Sequence, residues 1–249
     1  MKKWITRILI FIAILIAIIV IIGYSSSEKE PQTTQNKEAD LLAQKMLDAI
    51  DIKAWDSLKY LTFDFKNIHK YLWDKQANQV KISWAEYLVL MKLDTQKGVV
   101  YKNGEMLSEN LSQAILEEAW GYWCNDSFWM FAPFKVFDPG TSRSLAKDEE
   151  GKDGLMVTYN SGGVTPGDKY LWFLDQNYIP TGFKIWVKVI PIGGVYFTWE
   201  NWITLSGGAK LATSHLKAGI DLKMEDVKEG VILSDLGESM DLFGPLETL

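Results

Sequence analysis

The chain is poor in the residues that carry most enzyme chemistry. Among its 249 residues are one cysteine, Cys124, and two histidines, His69 and His215. A single cysteine excludes an intramolecular disulfide, so an exported domain must be held together by its own core. No Glu or Cys stands near either histidine at ligand spacing, so there is no zinc signature, and no cofactor is expected. Ser161–Asp168 is glycine-rich, but neither a helical pattern nor Gly-Lys-Ser/Thr follows it; it reads as a turn, not a phosphate cradle. Ser214 to Lys217 matches S-x-x-K by chance. The partner motifs S-D-N and K-T-G are absent, and on a strand those two side chains point to opposite faces. Nothing local would lower the thiol pKa of Cys124, which reads as a small half-buried residue beside Trp123. No catalytic residue is expected, and the chain reads as a non-enzyme.

Positive charge is also scarce. Net charge is −6, and without Lys2, Lys3 and Arg7, which precede the one long apolar run, the remainder carries −9. That balance argues against nucleic acid and against a broad docking surface for anionic membranes, since both need basic patches.

The apolar run itself is unbroken from Ile8 to Ile22, fifteen residues with no charge, proline or glycine. A hydrocarbon core of ~30 Å needs ~20 helical residues. Counting outward to Trp4 and Tyr24 supplies that span and places an aromatic ring at each headgroup layer. Residues 1–24 therefore read as a transmembrane anchor; the alternative is a secretory signal cleaved within Gly23–Ser27. In both cases Lys2, Lys3 and Arg7 keep the N-terminus cytoplasmic and send the rest across. The expected location is the bacterial inner membrane, single-pass, with the C-terminal domain in the periplasm.

Residues 25–37 contain no large apolar side chain and read as a flexible stalk. A helix is expected from Glu38 to Ile50, with Leu41, Leu42, Met46, Leu47 and Ile50 on one face. The period then changes to 2. Strands are expected at Leu61–Phe65, around His69–Trp73, and at Val80–Trp84, Tyr87–Leu93 and Val99–Tyr101. A second helix is expected from an N-cap at Ser108 to about Trp123. The stretch that follows, to Phe134, is too aromatic for an ordinary surface loop. Later strands are expected at Ser142–Lys147, Leu155–Tyr159, Tyr170–Leu174, Phe183–Val189, Val195–Leu205 and Lys210–Leu216, separated by dense turn signals. The composite is an α+β domain over residues 38–225, a large curved antiparallel sheet of roughly ten strands with covering helices. Residues 226–249 read as an acidic tail in solvent: from Ile220 onward eight acids stand against two lysines.

Aromatic residues are the strongest functional signal, with eleven Trp, ten Tyr and eleven Phe. They are good strand formers and core fillers. Several strands, however, are apolar on both faces: Tyr170, Trp172 and Leu174 alternate with Leu171 and Phe173. Two helices offer little area to cover so large a sheet, so apolar surface is left for a cavity, a partner or lipid. Phe63, Tyr71, Trp73, Trp84, Trp172, Phe197 and Trp199 are the expected lining of a hollow. Trp186 shares a face with Lys184 and Lys188 and belongs outside. Glu200, between Trp199 and Trp202, is the one carboxylate placed to read sugar hydroxyls or act as an acid.

The order helix, Leu61–Phe65, Val80–Trp84, helix Ser108–Trp123, then Leu155–Tyr159, Tyr170–Leu174, Phe183–Val189 and Val195–Leu205 resembles the bacterial lipoprotein-localisation carriers, the LolA/LolB-like half-barrel. The resemblance covers residues 38–225 and rests on element order and aromatic strands, with no short motif. It implies a curved sheet capped by helices that holds acyl chains in an aromatic cavity. The chain departs from that family in its membrane segment. It also lacks an arginine in an early strand, Arg143 being the only arginine after the apolar run. The expected partner is a lipid or acyl chain beside the membrane. The alternatives are a module that docks another envelope protein and a carbohydrate-binding or hydrolytic domain using Trp199, Glu200 and Trp202.

Overall fold

The structure, a computed structural model, describes residues 27–34, 37–190, 192–247 and 249. The expected membrane segment lies outside them. No helix among the described residues is long and apolar enough to cross a membrane.

Two antiparallel sheets form the body. The nine-stranded sheet begins as a meander: β2 (Tyr60–Phe65), β3 (His69–Asp74), β4 (Gln79–Trp84), β5 (Tyr87–Lys92), β6 (Gly98–Lys102) and β7 (Glu105–Met106). It is extended beyond β2 by the last three strands, β13 (Glu200–Thr204), β14 (Lys210–Lys217) and β15 (Ile220–Gly230). The six-stranded sheet has the order β1 (Thr33–Thr34), β8 (Thr141–Lys147), β9 (Asp153–Tyr159), β10 (Asp168–Leu174), β11 (Pro180–Trp186) and β12 (Val195–Thr198). A single stretch, 195–204, passes from one sheet to the other: β12 pairs with β11, and β13 pairs with β14. The break falls at Trp199, whose N–H donates to Thr181 O at 2.9 Å. A second irregularity lies in β15 between Glu225 and Lys228, where Asp226 has φ 49°. Such bulges bend a strand and raise its twist. The two sheets are thus wings of one open, curved surface; neither is closed.

Helix α1 (Lys37–Ala49) buries Ala39, Ala43, Met46 and Leu47, while Leu41 is exposed. The buried stripe is displaced from the expected one: Ala39 and Ala43 are fully buried on a helix that packs against β8 and β9. The short α2 (Ile52–Ser57) starts at Asp51, whose Oδ1 accepts from Ala54 N at 3.0 Å. The long α3 (Glu109–Phe131) runs eight residues past the expected end at Trp123. Its C-terminal half carries aromatic side chains on several sides because it lies in the hollow between the wings, with Asn125 exposed and Asp126 buried. Trp123 and Phe131 meet Phe63 and Trp73, Trp129 meets Phe183 and Phe197, and Phe128 meets Tyr159 and Tyr170.

The apolar outer faces of both wings are covered by the chain's own ends. Residues 226–249 are not a solvated tail: β15 continues to Gly230, and Leu233, Phe243 and Leu246 then pack on Tyr60, Leu72 and Leu90. On the other wing Met156, Leu171 and Phe173 form an outer cluster beside Trp186 and Tyr196. Residues 27–34 cross this wing, so the expected free stalk is docked from Ser27 onward. Glu28 N donates to Gly193 O (3.0 Å), Trp186 Nε1 donates to Glu28 O (3.0 Å), Lys169 pairs with Glu30, and β1 adds to the β8 edge. The contact is close enough that a Cβ on Gly193 would fall 2.6 Å from Glu28 O. Beneath the segment Lys184, only 7% exposed, is held by Glu28 (2.8 and 3.0 Å) and Asp148 (3.0 Å). Burial lowers the Lys184 pKa, but the two carboxylates more than offset it and hold the ammonium above its ordinary value.

Candidate functional site

A cleft of ≈ 650 Å³ remains where α3 leaves the hollow unfilled. Trp120, Trp123, Phe128, Trp129 and Phe131 from α3 form one wall. Trp55 from α2 and Trp73 from β3 form part of another, and Tyr159, Tyr170 and Ile185 part of a third. The walls are rigid because the rings brace each other. Trp55 stacks on Phe134 with centroids 4.2 Å apart and planes 9° from parallel, and Trp73 stacks on Phe131 at 5.2 Å. One mouth is bordered by the β9–β10 turn, with Gly162, Gly163 and Val164, and by Val189 and Ile190 of the β11–β12 connection. Polar side chains line it too, with Asn78, Asn125, Ser127, Ser161, Thr165 and Asp168 among the rings. Lys135 and Asp138 pair at 2.6 Å at the edge. The Trp73 indole N–H is buried and has no acceptor among the described residues. Cys124 also lines the cleft, and burial pushes its thiol up to about 11, so it is a neutral wall group at ordinary pH.

Of the seven aromatic residues expected to line a hollow, all pack toward the inner face, but the structure places only Trp73 on the cleft wall. Phe63 and Tyr71 stack at 4.6 Å beneath α3. Trp172 and Trp199 are fully buried 4.9 Å apart, with Phe183 against both. Phe197 packs on Trp129, and Trp84 on Tyr87 and Tyr122. The walls come instead largely from Trp120–Phe134, whose aromatic density was the visible signal. Glu200 is exposed while its neighbour Trp199 is 2% exposed, so the two cannot face one ligand. Trp186 is on the outer face, as expected, beneath the backbone of Glu28.

A polar cluster that sequence reasoning missed lies under α3. Asp126, 1% exposed, accepts from His69 Nδ1 (2.6 Å) and Tyr71 Oη (2.7 Å) through Oδ2, and from Asn125 Nδ2 (2.8 Å) through Oδ1. The imidazole is stacked on Tyr122 at 3.9 Å. Burial first, then the Asp126 charge, drives the Tyr71 phenol pKa well up, so Tyr71 stays a donor. The only sequence cue was one carboxylate inside the most aromatic stretch of the chain. With every acceptor position answered by a donor, the cluster fixes α3 against β3. Asp126→Asn should cost about 1–3 kcal/mol, because an amide turns one acceptor into a donor facing donors. Urea unfolding of the two proteins measures it; equal midpoints would mean that the cluster holds nothing in place. Among the described residues no three His, Cys, Asp or Glu side chains are grouped to hold a metal ion.

No family model matches the chain, and no curated protein matches it in sequence. Among solved structures, one that it resembles is a DUF1329 family protein from Desulfovibrio piger. The identity is 13%, over 84% of this chain and 98% of that one, with a TM-score of 0.41. A likeness this distant leaves the lipoprotein-carrier resemblance unestablished. The structure itself supports the coarser statement, an open curved antiparallel sheet with helices in its hollow.

Proposed function

We propose that this protein is a membrane-tethered component of the bacterial envelope that binds a lipid acyl chain or similar hydrophobe in the aromatic cleft beside α3. The observation that supports the reading is the cleft's combination of size and lining. Its ≈ 650 Å³ falls within the ~300–1,000 Å³ usual for ligand sites, and its walls are mainly indole and phenyl rings. Transfer of a hydrophobe into such a space is favoured by ~25 cal/mol per Å² of apolar surface removed from water. Lys135 supplies a cation at the edge for a carboxyl or phosphate oxygen. The role is binding rather than catalysis: the neutral Cys124 thiol is a poor nucleophile, and His69 and Asp126 are engaged with each other inside the fold.

The test uses residues 27–249, which retain the docked segment, produced in a lipid-containing host and purified without detergent. Native mass spectrometry should show copurified lipid of defined mass, and its presence should slow alkylation of Cys124 in the cleft wall severalfold. A clean monomer that stays lipid-free after incubation with vesicles, with Cys124 labelling unchanged, would reject the reading.

A further inference from the structure

The point where the chain enters the domain, the cleft mouth and a set of exposed apolar side chains coincide at one end of the six-stranded wing. We infer that this end is a membrane-contacting surface, with the hairpin tips carrying Val164, Val189, Leu216 and Ile220 resting in the interfacial layer of a phospholipid bilayer.

Strand direction brings the tips together. β9 ends at Tyr159 and β10 begins at Asp168; β11 ends at Trp186 and β12 begins at Val195. Both connections therefore emerge at the same end of the wing. They are joined there, because Lys188 N donates to Asp168 Oδ1 at 3.0 Å. β14 runs antiparallel to β13 and so carries the β14–β15 tip back along β12 in the direction of Val195, with Leu216 N donating to Thr198 Oγ1 at 2.9 Å. At these tips Val189 is 71% exposed, Ile220 60%, Val164 55% and Leu216 38%. The turns at the opposite end of the wing differ in kind. They carry Glu149, Glu150, Asp175, Gln176 and Asn177, and Tyr178 is their one exposed large apolar side chain. Grouped apolar side chains on an otherwise acidic protein are a contact surface. Lys188 and Lys217 stand next to Val189 and Leu216, both exposed, as cations that can reach headgroup phosphates while the apolar neighbours go deeper.

The attachment selects the bilayer as the occupant. Ser27 Oγ accepts from Gly193 N at 2.9 Å and Glu28 N donates to Gly193 O at 3.0 Å, inside the β11–β12 connection. The apolar run ends five residues earlier, at Ile22. Five residues span at most ~18 Å even when fully extended. A run seated in a bilayer thus holds the Val189 tip beside that same bilayer. Because Val164, Val189 and Ile190 also border the cleft, the mouth opens toward lipid; the choice of occupant rests on the tethered reading proposed above, and this last step also on the cleft being a hydrophobe site.

The full chain is reconstituted in phosphatidylethanolamine–phosphatidylglycerol vesicles carrying a nitroxide lipid. In a Cys124→Ser background, single probes are attached at Val164→Cys, Val189→Cys and Ile220→Cys, and at Asn177→Cys and Val231→Cys as distant positions. The first three should be blue-shifted and quenched at least twofold more than the last two. Equal, water-like emission at all five, or equal quenching at all five, overturns the inference. Quenched tips on a protein that takes up no lipid would remove the hydrophobe reading and leave the surface standing. Unquenched tips on a lipid-loaded protein would do the reverse.

Discussion

Lys184→Met should destabilise the protein by about 3–5 kcal/mol and release its N-terminal segment together. Among the described residues the ammonium is the only cation paired with Asp148, whose side chain is 2% exposed, and it also holds Glu28 across the outer face. Methionine preserves the length and apolar stem but leaves the Asp148 carboxylate buried with only its bonds from Glu150 N and Lys152 N. Breaking one partner of a buried pair costs more than the pair is worth intact, since the remaining charge cannot regain water. The double variant Lys184→Met/Asp148→Asn should therefore recover part of the loss, a non-additivity that a double-mutant cycle reads directly. Urea midpoints measure the stability, and trypsin cleavage after Lys29 measures release of the segment. A loss under about 1 kcal/mol would show that the triad is no more than a surface ion pair.

Stability should fall as pH drops from about 6.5 toward 4, through His215. The imidazole is fully buried, 4.3 Å from the Trp199 ring and 5.5 Å from Trp129, with Nδ1 at 3.1 Å from Thr198 O. Burial lowers its pKa from 6.5 to about 4; the carbonyls of Thr198 and Trp129 and the Asp221 charge oppose this only in part. Between those two pH values the unfolded chain takes up a proton that the folded chain refuses. The contribution is thus fully present above about 6.5 and is lost on acidification to about 4, amounting to about 3 kcal/mol at the limit. His215→Gln should flatten that part of the profile, whatever it costs at neutral pH. If the wild-type and variant profiles run parallel between pH 7 and 4, His215 is not the group responsible.

Much of the local structure was legible in advance because its signal is local. The alternation in Leu61–Phe65 and Val80–Trp84 marks strands with one face inward, and β2 and β4 follow it. Tyr170, Trp172 and Leu174 against Leu171 and Phe173 marked a strand apolar on both faces and left its surplus surface for a cavity, a partner or lipid; instead Leu171 and Phe173 are buried in an outer cluster of the domain itself. The end of α3 was not legible. Helix periodicity fades after Trp123 because the helix there touches both wings and carries aromatic rings toward each. The candidate site suffered from the same cause: Trp172 and Trp199, expected to line a hollow, are core residues because a helix fills that hollow.

By itself the sequence determined the apolar run, the order of helices and strands, and which side chains share a face, since each depends on neighbours a few residues away. Only the tertiary structure decided what covers each face. A polar stretch such as 27–34 reads as free linker until Lys184 and Asp148, far along the chain, supply the partners that make docking it favourable. An acidic C-terminus likewise reads as solvated until Leu233, Phe243 and Leu246 find the outer face of β2, β3 and β5. Burial is a property of surfaces brought together by the whole fold, and the cleft is what that assembly leaves unfilled.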